Sequence, residues 1–338
     1  MTTRRAWILG TASLLWFAAC RDDKPAAADS AVVIAPASEP ATVPAVNPGW
    51  DTGVAGPVML LSVPDNSASV SVVIPSMTDS TLASTSAFEL DSLSGAVVEL
   101  LNREGLAGSS ALVLDQQQRT PEGCVVWPKV RLSEVPPKPW RIGFVRGVVV
   151  LLPLDSLERM SGSDSTFIVR ELARLTSMVA EGEDPAFRGL PFSVRKAFRF
   201  ALPKRSVVVG DIVRRINEEA NPREEHLLLI AERAATGSDG YSSVFNSRVA
   251  GAEDAVRTSE ILSAVRFVKG NTAAVIVAFD FADGGRTALI QRVSDTEWKI
   301  TWRSAFSGCR LVVSPDPAIV RDSPAQLNVP QSPLVQAA

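Results

Sequence analysis

The chain contains one histidine, His226, and its surroundings are the first place to look for chemistry. On a strand, His226 shares a face with Glu224, Leu228, Ile230 and Glu232, because successive side chains alternate. Glu218 and Glu219 lie just across a turn at Ala220-Asn221-Pro222-Arg223. An imidazole beside carboxylates can hold a cation, and Glu218, Glu224 and His226 are the candidate set. The competing reading is a solvated hairpin end whose acids pair with Arg214, Arg215 and Arg223. A usual catalytic zinc set would lack its second histidine, so no metal and no cofactor is expected.

Other chemistry-bearing patterns stand alone. Ser193-Val194-Arg195-Lys196 has the S-x-x-K spacing that lets a lysine activate a serine, but neither K-T-G nor S-D-N accompanies it. Asp51-Thr52-Gly53 matches the short core of aspartic proteases, yet Pro48-Gly49-Trp50 precedes it where an apolar strand belongs, and a turn accounts for it. Nucleophile-elbow, P-loop and dinucleotide signatures are missing. A hydrolase would need Ser193, Glu218, Glu219 and Glu224 to converge in a cleft; no catalytic residue is assigned.

At the start of the chain, Arg4 and Arg5 precede a short apolar run, Trp7-Ile8-Leu9 through Leu14-Leu15-Trp16-Phe17, which ends in Ala18-Ala19-Cys20 and then charge. Residues 6–19 are too few to span ~30 Å of hydrocarbon as a helix. The segment resembles the signal peptide of bacterial lipoprotein precursors, with Phe17-Ala18-Ala19-Cys20 as the lipobox. Thr3-Arg4-Arg5-Ala6-Trp7-Ile8-Leu9 is also similar to a twin-arginine export motif. The resemblance implies removal of residues 1–19, diacylglycerol and palmitate on Cys20, and a place in the cell envelope. Arg21 after the cysteine implies the outer membrane, facing the periplasm.

That compartment is oxidising. With Cys20 lipidated, Cys124 and Cys309 remain, and a disulfide between them is the natural pairing. Closing so long a loop restricts the unfolded chain by roughly 5 kcal/mol in the entropic account. The alternative is two unrelated buried thiols.

Without residues 1–19 the chain has 32 basic against 37 acidic residues, a net of about −5. This mild acidity speaks against nucleic acid, which would need a basic stripe to displace counterions from phosphates. Residues 20–56 are rich in Ala, Pro, Ser and Val, the composition of a flexible tether, and 313–338 read as a disordered tail. The body falls between them, as an N-terminal α+β part over 57–155 and a helix with an antiparallel meander over 156–312.

Two helices and many strands must position the candidate residues. Leu93, Ala96, Val97, Leu100 and Leu101 at helical spacing, with Asp91 as cap and Gly105 as stop, predict a first amphipathic helix. Ile168, Leu172, Leu175 and Val179 predict a second over 165–181. Strands are expected at 58–63, 69–74, 111–114, 124–132 (interrupted by Pro128), 140–152, 192–200, 207–219, 224–233, 241–249, 258–268, 272–281, 286–293 and 297–306. Segment 241–257 would also suit a helix. Connectors such as Lys269-Gly270-Asn271 and Asp283-Gly284-Gly285 are hairpin chemistry. The fold expected is mainly β (α+β), an antiparallel meander curled into an open barrel or sandwich with two amphipathic helices.

Trp298 and Trp302, evenly spaced with Ile300 between them, should face one side of a strand. With Phe279 and Leu289 they form a candidate ligand wall, core packing being the default. Phe187-Arg188-Gly189-Leu190-Pro191-Phe192 reads as a plug for a barrel end, or as a lid or docking surface. The function expected is a membrane-anchored envelope module that binds or scaffolds without catalysis, its protein partner or apolar ligand unspecified. The alternative is a carrier of a lipid or other apolar ligand, which resembles the half-barrel lipoprotein chaperones in outline. A dry cavity along the wall would separate the two.

Overall fold

The computed structural model describes residues 47, 49–63, 68–85, 88–114, 123–218, 221–236 and 240–309. Cys20, the signal segment, Glu219 and the tail at 313–338 lie outside the described residues. In chain order the elements are α1 (Thr52–Ala55), β1 (Met59–Ser62), β2 (Ser69–Val73), α2 (Asp79–Ser84), β3 (Val97–Leu101), β4 (Leu106–Val113), β5 (Cys124–Val125), β6 (Lys129–Leu132), β7 (Ile142–Val145), β8 (Val149–Leu151), β9 (Asp155–Ser156), α3 (Gly162–Met178), β10 (Ser193–Leu202), β11 (Arg205–Ile216), β12 (Arg223–Ala234), β13 (Ser242–Ala252), β14 (Thr258–Phe267), β15 (Ala273–Phe281), β16 (Gly284–Arg292), β17 (Trp298–Arg303) and β18 (Ser307–Cys309). The fold is mostly β, and its sheets are antiparallel.

Three β layers result. Strands β1-β2-β6-β4-β3-β7 close into a six-stranded barrel, β7 pairing back to β1. Closure leaves no edge. Val70 and Val72 of β2 and Val98 and Leu100 of β3 fill its interior at the two-residue period of strands. Against the barrel lies a seven-stranded central sheet, ordered β5-β18-β16-β15-β14-β8, with β17 also on β16. Next comes a five-stranded sheet, β13-β12-β11-β10-β9, and α3 covers its outer face.

The central sheet is buried on both faces, which explains the near-continuous apolar run of β15. Ala274 and Ile276 meet Met59, Ile142 and Phe144 of the barrel side, whereas Val275, Val277 and Phe279 meet Phe198, Phe200, Val207 and Val209 of the five-stranded sheet. Each apolar face covered in this way is stabilised by roughly 25 cal/mol per Å² removed from water.

Helix α3 forms where its stripe predicts. Ser161 caps it by accepting from the Asp164 amide at 3.2 Å, and Ile168, Leu172 and Leu175 are buried. Gly210 of β11 lets Leu172 approach, since a Cβ there would stand 3.0 Å from Leu172 Cδ2.

The first expected amphipathic helix is absent. Asp91–Leu93 is a single 3₁₀ turn, Gly95 takes φ +74°, and Val97–Leu101 is a barrel strand paired on both sides. Over five residues the apolar spacing suits either element, and two strand partners decide it. The expected 140–152 strand divides at Arg146-Gly147 into β7 of the barrel and β8 of the central sheet. The ambiguous segment after Tyr241 is strand β13, not helix.

Residues 47 and 49–56, counted with the tether, pack on the body. Asn47 Nδ2 donates to the carbonyls of Met77 at 3.2 Å and Arg303 at 2.6 Å, and the Trp50 ring lies 4.7 Å from that of Trp302. Asp51 caps α1, its carboxylate accepting from the Gly53 amide at 2.8 Å, so Asp51-Thr52-Gly53 is a helix start.

Candidate functional site

Strands β11 and β12 pair in unbroken register, which sets Asp211, Val213 and Arg215 on the same inner face as Glu224, His226 and Leu228. There His226 is buried between two carboxylates. Its Nε2 is 2.7 Å from Glu224 Oε2 and its Nδ1 is 3.7 Å from Asp211 Oδ1. Arg215 pairs with Glu224 from the solvent side and reaches Glu253 at 3.4 Å. Burial opposes a charge on His226, but Asp211 and Glu224 outweigh it and raise its pKa above the ordinary 6.5. Burial likewise works against an ionised Glu224, and the bonds from His226 and Arg215 prevail, holding it below 4.5. When protonated, the ring is an imidazolium that bonds Glu224 on its own strand and lies within ion-pair reach of Asp211 on the neighbouring one, although Nδ1 and the Asp211 oxygens make no hydrogen bond there.

The expected cation set is therefore not assembled. Glu218 is exposed in the turn, where its backbone carbonyl accepts from the Asn221 amide at 3.1 Å, and Asp211 takes the place beside His226. The positive charge among these acids comes from the chain itself, through His226 and Arg215. Among the described residues no group of three or more His, Cys, Asp or Glu is arranged to hold a metal. Asp211 escapes a sequence reading because it meets His226 diagonally, from two register rows away on the neighbouring strand. Its one visible signal is a carboxylate within the apolar run Val207-Val208-Val209-Gly210-Asp211-Ile212-Val213.

The described members of the hydrolase set, Ser193, Glu218 and Glu224, do not converge. Ser193 opens β10, and its hydroxyl donates to the Val213 carbonyl at 3.2 Å; Lys196 is exposed. Glu224 is held by His226 and Arg215.

The ligand wall is split. Between β16 and β17 the register runs Leu289↔Trp302 and then Ile290↔Ile300, so Thr301 is an extra residue in a β-bulge. A one-residue slip turns the side chains on its two sides toward opposite faces. Trp298 and Phe279 consequently face the five-stranded sheet, while Trp302 and Leu289 face the barrel. Trp298 Nε1 donates to Glu232 at 2.6 Å, and Trp302 Nε1 to the Pro75 carbonyl at 2.9 Å, so each indole ties two layers together.

The Phe187–Phe192 loop covers a sheet face, not a barrel end. Its aromatics stack with arginines on the outer face of the five-stranded sheet: Arg214 lies 4.4 Å from the Phe192 centroid and Arg223 lies 5.4 Å from that of Phe187. Arg214, fully buried, pairs with Glu225 and reaches Glu181 at 2.7 Å. Arg248 approaches Glu225 at 2.9 Å.

Cys124 and Cys309 face each other between β5 and β18 with their sulfurs 2.04 Å apart. The link joins β5, which lies in sequence between barrel strands β4 and β6, to the last described strand of the central sheet.

The chain matches no family model, and comparison with curated proteins and with solved structures likewise returns no match.

Proposed function

We propose that the chain is a lipoprotein of a bacterial cell envelope, lipidated on Cys20 and held at the outer membrane facing the periplasm, whose body acts by binding or scaffolding rather than by catalysis. One observation carries the reading: the groups best suited to chemistry are engaged inside the fold. His226 bridges Asp211 and Glu224, and Trp298 and Trp302 each fasten neighbouring layers. A carrier of apolar ligands has less support, because its four wall residues lie on two opposed faces of a sheet buried on both sides. The Cys124–Cys309 pair suits an oxidising compartment, where such bonds persist.

The test is metabolic labelling of expressing bacteria with radioactive palmitate, followed by membrane fractionation. Label on the wild-type chain, lost together with membrane association in Cys20→Ser, is the expected result. An unlabelled wild-type chain in the soluble fraction removes the anchoring.

A further inference from the structure

Half-buried arginines in this fold generally have carboxylate partners. Arg199 meets Asp155 at 3.0 Å and Asp164 at 3.1 Å, Arg292 meets Glu232 at 2.8 Å, and Arg103 meets Glu260 at 2.6 Å. Arg233, without a close ion pair, is still within Coulombic reach of Glu171. Arg266 bonds an amide, Asn271, in place of a carboxylate, Arg233 shares with Arg257 a buried Nε that makes no hydrogen bond, and Arg257 alone of the three has a second guanidinium as the charge that reaches it. Arg257 precedes β14, half buried beside the seam where β13 and β17 come into contact, with its guanidinium 4.3 Å from the Phe279 centroid. One Nη2–H donates to Ser247 Oγ on β13 at 3.2 Å. Its Nε–H is buried and has no acceptor, and no carboxylate pairs with it among the described residues.

The charge that does reach Arg257 is another cation, Arg303, at the exposed end of β17. Register sets Arg303 opposite Ala288, on the face that carries Phe279. Burial and this repulsion both push the Arg257 guanidinium down from its ordinary pKa. Phe279 offsets part of the cost by cation–π attraction without neutralising anything. Buried charges are ordinarily paired, and an orphaned buried donor calls for a missing acceptor.

We propose that the seam where β13 and β17 meet is a phosphate-binding site, with Arg257 and Arg303 as the charged clamp, Ser247 as a hydroxyl donor and Phe279 as its floor. Ser247 Oγ accepts from Arg257, which leaves its own O–H free to donate. Two guanidinium charges match a phosphate near −2, and donors from three separate strands or loops suit oxygens arranged tetrahedrally. Exposed Arg303 gives the ligand a way in from solvent. The phosphate belongs either to a small soluble molecule or to a phospholipid headgroup. The site does not depend on the anchoring proposed above.

The experiment uses the full chain with Cys20→Ser, so that lipidation cannot mimic binding. Inorganic phosphate is titrated calorimetrically against chloride of matched ionic strength, and sedimentation is measured with phosphatidic acid or phosphatidylcholine vesicles. Phosphate binding, weakened by about tenfold or more in Arg303→Ala and in Arg257→Met, is expected for a soluble ligand. Sedimentation with phosphatidic acid alone, lost in both variants, is expected for a headgroup. Arg303→Ala changes only an exposed side chain, and Arg257→Met keeps an apolar stem over Phe279, so both should retain the fold by circular dichroism. No response to either probe, or a response that survives both substitutions, overturns the proposal.

Discussion

Two adjacent rows of one hairpin carry the same pair of residue types and put them to different use. Arg214 faces Glu225 and Arg215 faces Glu224 across β11 and β12, and strand alternation sends the first pair to the outer face and the second to the inner face. On the outer face Arg214 is 1% exposed and is held by Glu225, Glu181 and the Phe187 and Phe192 rings. On the inner face Arg215 is 55% exposed, and the buried partner of Glu224 is a titratable imidazole. Burial of the arginine thus sets how firmly each row is held, while the imidazole beside Glu224, which the outer row lacks, makes the inner cluster the one that responds to pH.

The largest effect should come from breaking the outer cluster. Arg214→Ala leaves the Glu225 carboxylate buried with Arg248 as its remaining cation and removes the stack beneath the Phe187–Phe192 loop. A loss of about 3–5 kcal/mol in urea unfolding is expected. Replacing both partners, Arg214→Met with Glu225→Leu, should recover most of it, because an apolar pair removes the stranded charge. If the double variant is as unstable as the single one, the outer cluster owes little to pairing.

Next in size is His226→Gln. It withdraws the positive charge from between Asp211 and Glu224, both buried, and the cost expected is about 1–3 kcal/mol at mildly acidic pH, read from the same unfolding curves. An unchanged midpoint would mean that the bridge contributes nothing.

How far these clusters were legible in the sequence depended on whether local or distant partners define them. The meander from Ser193 to Cys309 was readable, since turn residues such as Lys269-Gly270-Asn271 separate its strands and their hairpin partners are sequence neighbours. So was α3, whose apolar stripe runs several turns. The barrel was harder: its strands are short, and the fate of Val97–Leu101 was settled by β4 and β7, not by its own pattern. For the inner cluster, His226 and Glu224 were visible as alternating neighbours, but Asp211 required the β11–β12 register. The split of Trp298 from Trp302 depended on one bulged residue, Thr301, which spacing alone does not reveal.

The inner face should make stability depend on pH on the alkaline side of 6.5. His226 has a raised folded pKa, so its contribution is complete below the ordinary value of 6.5 and is lost as pH rises through the folded value. Glu224 has a lowered one, so its contribution is complete above 4.5 and is lost as pH falls through the folded value. The two overlap fully between those ordinary values. Urea midpoints measured from pH 4.5 to 6.5 and upward should therefore fall on the alkaline side in the wild type, and His226→Gln should remove that part of the decline. A wild-type decline equally present in the variant would assign it to other groups.

The smallest effect sharpens the comparison most. Arg215→Ala removes an ion pair of the same chemistry as Arg214 with Glu225, one row away, but from an arginine more than half in water. Glu224 then keeps His226 at 2.7 Å, so no buried charge is stranded. The expected loss is under about 1 kcal/mol, shrinking further as salt screens the exposed partner. Because Arg215 helps to hold the Glu224 carboxyl down, the acid limb of the stability curve should also move to higher pH. A loss as large as that of Arg214→Ala would show that cross-strand pairing in this hairpin, and not burial, sets the energy of each row.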